Sequence, residues 1–281
     1  MILNKKIILI TLLTLSLDAK ERIITLSPAI NEIVYALNMG NQIVGNTQYC
    51  RFPKETLNVP KVGGYFSPNL EKIVALKPTI VLMQRNNHKL QLQLNQLKIN
   101  TKMIKIDTLD NIQTSILELG KIFKKEKNAR LIVKDINDSL KAIRNIVNNK
   151  KILIVFGHNT SLSKNIFVAG QNLYFDQIIR ESGNRNALQS KRKGQPILNM
   201  ENIIATNPDI VILLAYSLKE KGLTREQLIN PWLKLPINAS KTDSIYIENK
   251  IYAGIPSDRL VLFLNDFKEI LNDYKKQNLL K

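Results

Sequence analysis

Apolar residues recur along this chain in two ways. Some fall three or four apart, the spacing of a helix face, and others form short branched runs, as in a strand buried on both sides. The clearest case is Asn69–Leu82, NLEKIVALKPTIVL, which Asn199–Ile212, NMENIIATNPDIVI, repeats 130 residues later. Aligned without a gap, the two are identical at seven of fourteen positions: Asn69/Asn199, Glu71/Glu201, Ile73/Ile203, Ala75/Ala205, Pro78/Pro208, Ile80/Ile210 and Val81/Val211. Each copy predicts a short helix with its asparagine as N-cap and Leu70, Ile73 and Val74, or Met200, Ile203 and Ile204, on one face. Pro78 and Pro208 end these helices, because proline disfavours a helical residue before it. The runs Thr79–Met83 and Asp209–Leu214 predict buried strands. The duplication implies two similar α/β lobes.

The rest of the chain continues this alternation. A strand at Ile23–Leu26 leads through Ser27-Pro28 into a helix reaching about Asn38, and a second strand at Ile43–Gly45 leads into Asn46–Pro53. Gly63-Gly64-Tyr65-Phe66-Ser67-Pro68 reads as a turn into the first repeat. Helices are expected near His88–Leu97, Asp110–Phe123 and Tyr174–Ser182, with strands near Thr101–Ile106, Ile152–Phe156 and Ser244–Ile247, and a last helix runs to about Tyr274. Glu126–Val147 breaks the rhythm. It lacks glycine and proline, and Ile132, Ile136, Leu140, Ile143 and Val147 recur at helical spacing, which predicts one helix of about 33 Å. The expected fold class is α/β: two parallel-sheet lobes bridged by one long rigid helix. The divisions are a leader at 1–19, a first lobe at 20–125, the helix at 126–148 and a second lobe at 149–281.

Residues 1–19 read as a targeting segment. Lys5 and Lys6 precede an apolar run, Ile7–Leu17, that is short for a membrane span, and Ala19 is a small residue at which a leader could be cut. Export would permit disulfides, yet Cys50 is the single cysteine, so the fold must hold by its cores. The net charge of +18 raises the question of a nucleic-acid partner. The lysines are dispersed, no recognition motif accompanies them, and the nearest approach to a patch is Lys191-Arg192-Lys193, so no nucleic acid is expected. No metalloprotease, P-loop, nucleophile-elbow or dinucleotide motif occurs, and two histidines leave few arrangements for catalysis. No enzyme activity is expected, with a secreted enzyme of unrecognised site as the reading outside the binding class.

Arg22–Leu37, the paired NLEKIVALKP and MENIIATNPDIVI, the long central helix and Asn230–Gly254 together resemble the helical-backbone class of periplasmic binding proteins of ABC importers. These take up cobalamin, ferric siderophores and haem. The resemblance spans the chain after the leader. It implies a periplasmic, monomeric protein without an intrinsic cofactor, which holds a metal chelate in the cleft between its lobes with little hinge motion. It also implies delivery to a permease dimer in the inner membrane, driven by a separate ATPase. Glu71 and Glu201 match the glutamates that in this family dock onto the permease. Considered alone, each is an acidic residue placed to complement a helix dipole.

Ligands of α/β lobes sit beyond the carboxyl ends of the strands. That rule makes Ser27, Pro28, Tyr49, Arg51, Tyr65, Phe66 and Arg85 the candidates in the first lobe. In the second they are His158, Arg192, Tyr216, Tyr252 and Arg259. Aromatic faces suit a flat ligand, and arginines suit carboxylates or an anionic iron complex. His158, in Gly157-His158-Asn159, could fill an open position on iron or cobalt, and Tyr49 or Tyr252 could add a phenolate; the plainer reading of His158 is a loop histidine bonded to backbone. Arg259 matches a cleft arginine of cobalamin-binding members, against a simple salt bridge to Asp258. Those members carry a tryptophan before the second repeat helix where this chain has Gln195-Pro196, which favours a ferric siderophore or haem, with cobalamin as the alternative.

Overall fold

The computed structural model describes residues 20–163, 165–190, 194–216 and 218–279. The expected leader and the triplet 191–193, which contains Arg192, lie outside the described residues.

The first lobe is built on four parallel strands, β1 (Ile23–Thr25), β2 (Ile43–Asn46), β3 (Ile80–Met83) and β4 (Thr101–Met103), in the spatial order β2-β1-β3-β4. Helices α1 (Pro28–Ala36), α2 (Leu70–Ala75), α3 (His88–Gln96) and α4 (Leu109–Ile122) cover it. Helix α5 (Glu126–Ala142) leads to the second lobe, whose strands are β5 (Lys151–Phe156), β6 (Ile166–Val168), β7 (Arg185–Asn186), β8 (Ile197–Leu198), β9 (Ile210–Leu214) and β10 (Ile245–Glu248). Its helices are α6 (Tyr174–Glu181), α7 (Met200–Thr206), α8 (Arg225–Leu233), α9 (Asn238–Lys241) and α10 (Leu260–Leu279).

The duplicated segments fold alike. Helices α2 and α7 begin at Leu70 and Met200, strands β3 and β9 at Ile80 and Ile210, so each pair keeps the offset of the repeat. Asn69 and Asn199 each accept a backbone N–H, from Lys72 and Asn202, at 2.8 Å. Lys77 and Asn207, each followed by proline, turn to positive φ, 45° and 43°. With the right-handed helical region closed to them by the proline, both leave the helix by the left-handed one.

Side-chain alternation within the strands explains how the lobes are held. Ile24, Val81 and Met83 point to a cluster with Ile73 of α2 and Leu90 and Leu94 of α3. Leu153, Val155, Val211 and Leu213 point to another, with Trp232 of α8. The opposite faces, with Ile23 and Leu82 from one sheet and Ile152, Ile154, Ile210 and Ile212 from the other, belong to a single cluster that also takes in α1, α4, α5, α6 and α10. Each sheet therefore buries one face in its own lobe and the other in a core common to both.

Two expectations change. The second sheet is mixed, because β6 runs antiparallel to β5 and to β8 while β7, β9 and β10 keep the parallel sense. The segment between β5 and β6 is too short for a crossover helix and can only return antiparallel. Helix α5 stops at Ala142, giving about 25 Å rather than 33 Å. Beyond it the Asn145 and Asn149 N–H groups donate to the Ser182 and Gly183 carbonyls at 3.1 and 3.0 Å, with both asparagines at positive φ. Ile146 and Val147 still reach the common core, so the apolar period outlasts the helix.

Candidate functional site

Strand register decides which loops meet. In the second sheet Phe156 of β5 lies opposite Leu214 of β9, so the loops leaving these strands start level. His158, two residues on, therefore meets Tyr216, two residues on. Its Nε2 donates to the Tyr216 carbonyl oxygen, and the two rings stand edge to face with centroids 5.7 Å apart. Because a carbonyl only accepts, Nε2 is the donor, and the tautomer this bond selects is the one whose lone pair is on Nδ1. Lys221 approaches the Tyr216 ring, its Nζ 6.0 Å from the centroid.

In the first sheet Thr25 lies opposite both Asn46 and Leu82, and its loops likewise rise together. The turn before α2 requires glycine at position 63, where φ is 116° and a Cβ would come within 2.7 Å of the Ser67 carbonyl oxygen. That turn presents Tyr65 and Phe66, edge to face at 4.6 Å. The Tyr65 hydroxyl donates to Gln84, just past β3, and Asn86 donates to the Tyr65 carbonyl at 3.1 Å. Burial pushes the Tyr65 phenol up from its ordinary pKa, so it stays a donor. Phe66 is 82% exposed and Tyr49 53%, while Arg51 and Arg85 are exposed and form no ion pair among the described residues.

A buried polar network holds the loop that carries Tyr49 and Arg51. Asn46, at the end of β2, donates to the Thr56 hydroxyl at 2.6 Å, and Asn31 of α1 donates to the Phe52 carbonyl at 3.1 Å. Lys61 donates to Asn46 Oδ1 at 2.7 Å and to the Thr56 carbonyl at 2.8 Å, with burial drawing its pKa down. Cys50 is a buried free thiol against Thr47.

Other predicted residues are committed elsewhere. The Ser27 hydroxyl accepts the Ile30 N–H at 3.3 Å as the N-cap of α1, and Pro28 takes the first helical position. The Tyr252 hydroxyl donates to Asp266 of α10 at 2.6 Å, and burial and that carboxylate raise its pKa, so it is held as a phenol. Arg259 is buried and pairs with Glu32 of α1, not with Asp258: Nη2 meets Oε1 at 2.5 Å and Nε meets Oε2 at 3.0 Å. Its guanidinium lies 3.9 Å from the Phe52 ring centroid. Burial, with the Glu32 carboxylate second, pushes the Asp258 carboxyl up to about 7. A depression of about 500 Å³ opens beside this junction, lined by Glu32, Tyr35, Phe52 and Asp258. A second, of about 580 Å³, lies between Ser161, Met200 and Pro231.

Tyr49, Arg51, Tyr65, Phe66 and Arg85 thus gather on the strand ends of one lobe, and His158 and Tyr216 on those of the other. Sequence reasoning missed Glu32, Phe52 and Gln84. For Glu32 a signal exists, an acidic residue between Ile30 and Ile33 in the apolar period of α1. Among the described residues no three His, Cys, Asp or Glu side chains cluster to hold a bare metal ion. Glu71 and Glu201 are exposed in the first turns of α2 and α7, unpaired among the described residues.

A family model described as periplasmic binding protein matches residues 23–246. The high-affinity heme uptake system protein IsdE of Staphylococcus aureus (strain MRSA252) is 28% identical over 228 residues, 77% of this chain and 75% of that protein. Among solved structures, the periplasmic heme-binding protein HutB of Vibrio cholerae superposes with a TM-score of 0.76 at 23% identity, over 90% of this chain and 99% of that one. The siderophore-binding protein BauB, bound to acinetobactin and ferric iron, gives 0.73 at 22% identity, over 89% and 92%.

Proposed function

Because the chain belongs to the periplasmic binding protein family, in the class whose lobes are joined by a helix, we propose that it captures an iron chelate between its two loop rims. The chelate is haem or a ferric siderophore, and it passes to an ABC permease whose separate ATPase supplies the energy. The reading requires no catalysis by this chain and no resident cofactor; the iron is cargo.

The observation that carries the haem reading is the orientation of His158. A histidine that ligates metal usually donates its other ring N–H to a carbonyl or carboxylate, which fixes the tautomer and aims the free nitrogen. His158 does this through the Tyr216 carbonyl. One imidazole suits an iron whose four equatorial positions a macrocycle already fills. The exposed rings of Tyr49, Phe66 and Tyr216 offer faces to stack on that macrocycle, and Arg51 and Arg85 offer cations to its carboxylates. Those two unpaired arginines also support the second reading, since an anionic ferric siderophore needs charge partners but no protein ligand to its iron.

Glu71 and Glu201 would engage the permease. They stand on equivalent first turns, one in each lobe, so that a partner carrying two basic patches would be oriented by both.

The test is an absorbance titration of the exported protein with haemin, a ferric catecholate, a ferric hydroxamate and cyanocobalamin. Haemin is expected to saturate at one equivalent with a shifted Soret band, and His158→Ala to lose the shift. A catecholate or hydroxamate saturating in its place selects the siderophore. Saturation by cyanocobalamin alone, or by none of the four, overturns the reading.

A further inference from the structure

Glu32 belongs to the first lobe and Arg259 to the second, yet they form a buried two-point ion pair, with the Ser257 hydroxyl donating to Glu32 Oε2 at 2.5 Å. The guanidinium is sandwiched further: Phe52 of the first lobe covers it at 3.9 Å, and the Tyr252 ring of the second stands at 5.8 Å. Phe52 is itself tied to α1 through its carbonyl and Asn31. It directly follows Arg51 and lies three residues after Tyr49, on the same loop. An arginine of one lobe thus packs on the loop that carries Tyr49 and Arg51 in the other.

The common core cannot supply this precision by itself. Hydrophobic burial is non-directional and tolerates sliding. A buried ion pair offsets its desolvation only where both hydrogen bonds are well made, so it selects one arrangement. A stacked, forked guanidinium is the most demanding such group.

We propose that Glu32 and Arg259 are positioning residues that lock the angle between the lobes and, through Phe52, the placement of Tyr49 and Arg51; the ligand half rests on the chelate-binding reading above. Arg259 then serves the site without touching the chelate, in contrast to a cleft arginine that pairs with ligand.

The experiment measures lobe spacing and affinity separately. Spin labels on Lys89→Cys of α3 and Arg225→Cys of α8, in a Cys50→Ser background, report the distance without ligand. The wild-type pair gives one narrow distribution. Glu32→Leu combined with Arg259→Met fills the same space without charge, so folding is retained. It is expected to broaden the distribution and to weaken haemin or siderophore binding by roughly tenfold at a nearly constant melting temperature. Phe52→Leu should lower affinity in the same direction, and Phe52→Tyr, which keeps an aromatic face on the guanidinium, should restore it. A distribution that stays narrow in the double variant, or equal affinities for Phe52→Leu and Phe52→Tyr, overturns the lock. If no chelate binds the wild type but the double variant still broadens, the lobe lock stands and the ligand reading falls.

Discussion

His158 and Asp258 show how a single side chain acquires a role from its neighbours. His158 is half-buried, bonded through Nε2 and open at Nδ1, and the loop carries no second histidine to replace it. His158→Ala is expected to weaken haemin binding about ten- to a hundredfold, or roughly 1.4–2.8 kcal/mol, with a changed ligand-field band in the visible spectrum. His158→Gln should keep the bond to Tyr216 while losing the band. Asp258 lies in the depression beside the Glu32–Arg259 pair, and its Oδ1 has no hydrogen-bond partner among the described residues. With its folded pKa raised from 3.8 to about 7, the folded state holds a proton that the unfolded chain has released. Stability contributed at low pH is therefore lost as pH rises from about 4 to about 7 and does not return above it. Asp258→Asn should remove that slope and stabilise the protein at pH 8 by on the order of 2–4 kcal/mol, read as a melting-temperature gain that vanishes at pH 4. Equal gains at both pH values would show that the carboxyl is not the cause.

At the level of elements, the duplicated helix–turn–strand is the unit that repeats, and its two glutamates are its exposed signature. Each stands in a first turn capped by asparagine, so replacing it removes a small favourable interaction with the helix dipole, about 0.3–1 kcal/mol. The fold should absorb that loss. Glu71→Ala combined with Glu201→Ala is expected to abolish uptake in cells while leaving chelate affinity in solution as it was. Lost affinity in the purified variant would refute the docking role. Helix α8 marks an element that was readable but missed: Thr224 and Gln227 form a reciprocal capping box, a pattern visible in the sequence TREQ, inside a stretch that otherwise reads as a lysine-rich connection.

For the whole molecule, the common core makes a strong prediction. Ile154 and Ile212 of the second sheet belong to the same buried cluster as Ile30 and Leu82 of the first lobe. Each lobe also has a cluster of its own, yet neither can open fully without exposing the shared one, which couples their unfolding. Calorimetry should give one transition with equal calorimetric and van't Hoff enthalpies. Ile212→Ala, costing about 2–5 kcal/mol, should lower hydrogen-exchange protection in β1 and β3 as well as in β9. A variant that loosens only the second lobe would show the core to be divided.

The sequence alone determined the α/β alternation, the two-lobe duplication and both repeat strands to within a residue, because apolar period, asparagine caps and proline act locally. It also placed Tyr49, Arg51, Tyr65, Phe66, Arg85, His158 and Tyr216 in the segments that follow strands, since that rule needs only strand order. Tertiary structure decided what local pattern cannot express. Whether helix α5 continues past Ala142 depends on Asn145 and Asn149 finding the carbonyls of Ser182 and Gly183. Whether His158 meets Tyr216 depends on the register of β5 against β9. Whether Arg259 faces ligand or Glu32 depends on a partner 227 residues away. Hydrophobic period reports which side of an element is buried; the partner of a buried charge is chosen by packing across the lobes, where sequence distance carries no information.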